Sequence, residues 1–115
     1  MNDAMVQPFN AQIKSEFGAS AQYIAIAAYF DDMSLIELAQ FFYRQSEEER
    51  THALKFVQYM LESGIKPFIP SVPELKNDFG DPAEAVQYAL DQEQMVTDQI
   101  NNLVSLSVQN CQMAS

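Results

Sequence analysis

Counted in alternating steps of four and three, the chain carries three stripes in which large apolar residues recur at heptad spacing, as in helices that pack nearly parallel to one another. The first stripe is Phe9, Ile13, Glu16, Ser20, Tyr23, Ala27 and Phe30. The second is Leu38, Phe42, Gln45, Glu49, His52, Phe56 and Tyr59, and the third is Val86, Leu90, Glu93, Thr97, Ile100, Val104, Ser107 and Cys111. Local end signals bound these segments. Ser34-Leu35-Ile36-Glu37 reads as a capping box, and Gly64 supplies a left-handed stop followed by Pro67, Pro70 and Pro73. Asp81, Pro82 and Glu84 fill the N-cap, N1 and N3 positions of a further helix. Pro8 suits a first turn capped by Asp3 or by a residue near Gln7, and that helix closes near Asp31-Asp32. The pattern predicts helices over approximately 4–32, 34–63 and 82–111 in one domain spanning 1–115. Ile65 to Gly80 forms a proline-rich connection long enough to cross from one end of a bundle to the other. The expectation is an all-α, antiparallel helical bundle.

Composition narrows what such a bundle can do. The 48% apolar content of this 115-residue chain is that of a folded protein, and three glycines with no tryptophan fit long helices. With 16 acidic residues against 6 basic ones the net charge is −10, which argues against nucleic acid or an anionic membrane as partner. The start carries no basic segment before an apolar core, and no apolar run reaches the ~18 residues of a membrane span. Cys111 is the single cysteine and cannot form an internal disulfide, which favours a reducing compartment and a cytoplasmic location. No glycine-rich phosphate loop, serine nucleophile elbow or Cys-x-x-Cys pair occurs.

The stripes contain the chemistry. Each places a glutamate, Glu16, Glu49 or Glu93, in an apolar seam, and a carboxylate there costs several kcal/mol unless paired, protonated or bound to a cation. Lys14, Arg44, Arg50 and Lys55 fall off the stripes. Glu49 and His52 form a Glu-x-x-His pair on one helix face, and His52 is the sole histidine. Carboxylates joined by an imidazole suit iron, manganese or zinc, so Glu16, Glu49, His52 and Glu93 are candidate ligands of a shared metal. Tyr23, two turns beyond Glu16, is placed to hydrogen-bond a ligating carboxylate or donate an electron, or simply to pack in the core. Glu47 and Glu48 flank the second stripe, where one could hold a transient accessory ion.

Three segments carry a resemblance: Glu16-Phe17-Gly18-Ala19-Ser20-Ala21-Gln22-Tyr23, the run Phe41 to Ala53 containing Glu47-Glu48-Glu49-Arg50-Thr51-His52, and Glu93 to Ile100. Together they resemble a non-haem bacterial ferritin nearly end to end. The resemblance implies a di-iron ferroxidase centre held by Glu16, Glu49, His52 and Glu93. Glu16 and His52 would hold one iron, Glu49 would bridge, Glu93 would bind the other, and Tyr23 would stand beside the centre. Arg50 stands where haem-binding relatives would carry their ligand methionine, so no haem is implied. The implied function is iron storage and detoxification, with Fe(II) oxidised by dioxygen or hydrogen peroxide inside a homo-oligomeric cage. Family members continue into a fourth bundle helix, whereas this sequence stops at Ser115. The resemblance therefore implies three of four long helices and a sizeable uncovered apolar face. A non-catalytic assembly or iron-shielding module is the alternative. An oxidase acting on an organic substrate would share the ligands, and a DNA-protecting cage is disfavoured by the acidity.

Overall fold

The computed structural model contains helices α1 (Asp3–Asp32), α2 (Ile36–Glu62) and α3 (Pro82–Ala114), and no strand occurs among the described residues. Residues 3–114 are described, with side chains to residue 109, so the Cys111 thiol lies outside them. The helices lie along a body of 55 × 22 × 21 Å.

The α1–α2 turn differs from the sequence expectation. Ser34 does not cap α2. It takes φ 61° and closes α1 instead. The Leu35 N–H reaches the Phe30 carbonyl at 2.9 Å and the Ser34 N–H reaches Asp31 at 3.0 Å, the paired bonds of a Schellman end. A residue spent on that left-handed corner cannot also adopt the extended backbone of an N-cap, so α2 starts at Ile36, after Leu35, with no side-chain cap. The end of α2 repeats the device with Gly64 at φ 79°, Ile65 N–H to Met60 at 2.9 Å and Gly64 N–H to Leu61 at 3.0 Å. At the other end of α1, Pro8 lies inside the helix rather than in its opening turn. Met5 and Phe9 are both buried in one core cluster with Ile13, Met60 and Leu103, which holds the helix together across the proline.

The connection after α2 lies in register along α1. Phe68 N–H donates to Asn10 Oδ1 at 2.9 Å. Gln22 brackets Lys76, accepting from its N–H at 2.9 Å and donating to its carbonyl at 2.7 Å. The Phe79 ring meets Tyr29 edge-on at 5.2 Å. This crossing delivers the chain to the far end of α1. There Asp81 Oδ1 accepts from Glu84 N–H at 2.8 Å, so Asp81 caps α3 as its position suggests. α3 then runs antiparallel to α1, Ala85 joining the cluster of Phe30 and Leu103 that of Met5.

The backbone of α1 approaches both other helices closely, while among the described residues α2 and α3 meet only through side chains in the two shared core clusters. This arrangement explains which stripes are buried. Every position of the first stripe is buried. On α2 the buried row is Ala39, Phe42, Ser46, Glu49, Ala53 and Met60, whereas Leu38, His52 and Tyr59 of the sequence stripe are exposed. On α3 Ala85, Ala89, Val96 and Leu103 are buried, whereas Leu90, Thr97 and Val104 are exposed. The two sequence stripes thus straddle the edge of the contact with α1. Their outer halves border an open apolar groove between α2 and α3, with Phe9, Phe56 and Ile100 common to its two parts of about 430 and 510 Å³. Two core clusters, one around Tyr23, Phe30 and Phe42 and one around Phe9, Ile13 and Met60, are separated by a polar belt. Each large side chain fully buried in them contributes roughly 1.5–3 kcal/mol, which offsets the cost of that belt.

Candidate metal centre

The belt is built where α1 and α2 meet through the small side chains of Ser20 and Ser46. Ser20 Oγ donates to the Ser46 carbonyl at 2.8 Å and Ser46 Oγ to the Ser20 carbonyl at 2.7 Å, so the two hydroxyls satisfy one another's backbone. One helical turn away on each helix stand Glu16 and Glu49, brought face to face by this clasp.

Glu16 is fully buried and Glu49 is 5% exposed. Both Oε2 atoms are buried without a hydrogen-bond partner. His52 Nδ1 lies 3.9 Å from Glu16 Oε2 and 3.7 Å from Glu49 Oε2. Ligand atoms of Glu16, Glu49 and His52 all fall within 4.8 Å of one another. The other Glu16 oxygen accepts from Gln12 Nε2 at 3.1 Å. No lysine or arginine forms an ion pair with these acids among the described residues. Burial, then hydrogen bonding of the protonated group to Glu16, then the charges of Glu16 and Glu93, push Glu49 up to about 8, with His52 pulling the other way. Two orphaned carboxylate oxygens facing one imidazole, without a fixed positive charge, form a donor set that a divalent cation would complete.

Glu93 stands apart from that triad. Tyr23, buried in the adjoining core, donates its hydroxyl to Glu93 Oε1 across the α1–α3 contact. Burial and the Glu93 carboxylate raise the Tyr23 phenol well above its usual range, so Tyr23 stays a donor. Among the described residues the closed donor group therefore joins Glu16, Glu49 and His52, with the Tyr23–Glu93 pair beside it. The His52 side chain is 47% exposed, and with Glu16, Lys55 and Phe56 it lines the mouth of the apolar groove, which opens the site to solvent. Glu47 and Glu48 are exposed on α2. Gln12 and Ser46 were not singled out by sequence. Gln12 precedes Glu16 by one turn, a spacing that brings an amide onto a carboxylate, and this was the available signal.

A family model described as the ferritin-like domain matches residues 7–113. The chain belongs to the ferritin family. Ferritin BfrB of Mycolicibacterium smegmatis is 49% identical over 96 residues, which cover 84% of this chain and 53% of that protein. The bacterial non-heme ferritin of Staphylococcus saprophyticus is 34% identical over 107 residues, covering 93% of this chain and 64% of that one. The open pore ferritin of Archaeoglobus fulgidus superposes with a TM-score of 0.92 at 28% identity, covering 99% of this chain and 70% of the archaeal one. This ferritin chain thus spans about half the length of its mycobacterial relative and shares the helical architecture of the solved structure. No helix among the described residues is long and apolar enough to cross a membrane.

Proposed function

We propose that the chain is an iron storage and detoxification subunit that binds Fe²⁺ between α1 and α2 and oxidises it to Fe³⁺ for mineral storage. The observation that carries this reading is the pair of buried, unpartnered oxygens, Glu16 Oε2 and Glu49 Oε2, facing His52. Iron is the substrate. Glu16 and His52 would hold one ion, Glu49 would bridge toward a second, and Glu93, steadied by Tyr23, would serve that second ion. Two Fe²⁺ give up two electrons in all. Dioxygen takes them with two protons from solvent to give hydrogen peroxide, or hydrogen peroxide takes them with two protons from solvent and its oxygen–oxygen bond breaks to give two waters. Binding displaces the proton that burial keeps on Glu49, and the freed carboxylate then offsets the charge of the oxidised ion.

Relatives named as ferritins and the open apolar groove support a homo-oligomeric cage. A second reading, a non-catalytic assembly or iron-shielding module, draws on one observation: the closed donor group holds three residues and leaves Glu93 outside it. Aerobic oxidation of Fe²⁺ by the purified chain separates the two. Oxidation faster than in buffer, and lost in Glu49→Ala, supports the ferroxidase; buffer-like rates support the module.

A further inference from the structure

We infer that Gln12 is a positioning residue of the metal centre, holding one oxygen of Glu16 so that the carboxylate offers a single oxygen to a bound ion. The inference rests on the proposed binding of a metal by Glu16. Gln12 is 2% exposed, and its Nε2 donates to Glu16 Oε1 at 3.1 Å from one turn earlier on α1. Glu16 Oε2 has no hydrogen-bond partner and points toward His52, 3.9 Å away. The two oxygens of one fully buried carboxylate are thus made unequal by the protein itself.

Gln12 is buried on the side of α1 that faces α3. With Pro8, Ala11, Gln99, Asn102 and Leu103 it lines a recess of about 200 Å³ between α1 and α3. An amide that donates from there lowers the electron density available at Oε1 and resists rotation of the carboxylate about its terminal bond. A cation at Oε2 is then bound through one oxygen rather than chelated by two. Its remaining positions stay open to Glu49, His52 and an incoming small molecule. Groups of this kind, which hydrogen-bond a ligand rather than the ion, typically change metal affinity by about 10–100-fold when removed.

Cobalt(II) titration of the whole chain, followed by visible d–d absorption, tests this without iron oxidation. Gln12→Met keeps the volume and removes the donor; Gln12→Leu serves if that variant does not fold. Gln99→Met, in the same recess but not bonded to a ligand, controls for packing. The expected result is saturable cobalt binding by the parent chain, weakened about 10–100-fold in the Gln12 variant, with an altered absorption band as Glu16 turns to chelate. The Gln99 variant should keep the parent affinity and spectrum. Parent-like affinity and spectrum in the Gln12 variant would overturn the positioning role while leaving the metal centre standing. Equal spectral change in the Gln99 variant would overturn it in favour of packing. Absence of saturable cobalt binding by the parent chain would overturn the metal centre itself, and the inference with it.

Discussion

The Tyr23 hydroxyl donates to Glu93 Oε1, tying the core of α1 to the carboxylate that α3 brings beside the Glu16–Glu49–His52 group. The bond joins a buried phenol to an acceptor that the neighbouring acids already crowd, so the proton stays on tyrosine. Tyr23→Phe is expected to cost about 1.5–3 kcal/mol in chemical denaturation, the scale of a hydrogen bond to a charged group. In an alkaline ultraviolet titration the variant should match the parent through the range where ordinary phenols ionise, about pH 10. A smaller phenolate signal in that range would mean that Tyr23 titrates normally.

Glu49 gives the ion-free chain a pH dependence of stated sign. Its folded-state value, pushed up to about 8, exceeds the ordinary 4.5, so between these values the native chain holds a proton that the unfolded chain releases. Stability should therefore fall as pH rises from about 4.5 to about 8 and level off above. Glu49→Gln should flatten this slope and, at the upper end, exceed the parent by roughly 1–3 kcal/mol, because no buried charge has to form. Denaturant unfolding in chelator across the window measures both.

The Ser20–Ser46 clasp sets the separation of the helices that bear Glu16 and Glu49. Ser46→Ala removes one donor and should cost about 1 kcal/mol. Ser46→Leu also wedges the helices apart, with a cost of about 1–3 kcal/mol or more. Only the leucine variant should lose metal affinity along with stability; equal metal affinity in both would show that the clasp does not position the glutamates.

The Ser34 corner distinguishes two readings of the same tetrapeptide. A capping serine replaced by glycine loses a few tenths of a kcal/mol, whereas a serine held at φ 61° is relieved by the same change. Ser34→Gly is expected to raise stability by about 0.5–1 kcal/mol in thermal unfolding. Gly64→Ala, at φ 79° with open space around it, should lower stability by about 1 kcal/mol.

The legibility of the sequence followed the number of neighbours each helix has. Every position of the α1 stripe is buried because α1 is covered on two sides. On α2 and α3 the apolar pattern extends beyond the contact with α1, so a stripe drawn through its centre mixes buried Phe42 and Glu49 with exposed Tyr59, and half-buried Ile100 with exposed Leu90. The Glu-x-x-His spacing was enough to place Glu49 and His52 together, since helix geometry alone aligns them. Which oxygen of Glu16 is free was not legible. That depends on Gln12, whose burial arises from packing between α1 and α3 rather than from any local pattern. Ser34-Leu35-Ile36-Glu37 has the composition of a capping box, but a serine suited to an N-cap also tolerates the left-handed corner that the end of α1 requires.

The central claim is that Glu16, Glu49 and His52 form a metal site, and an anaerobic Fe²⁺ titration by calorimetry, with Glu49→Ala alongside, tests it most directly. Saturable binding by the parent chain, abolished in the variant, is the expected result. Identical heats in both chains, or no saturable binding by the parent, would contradict it.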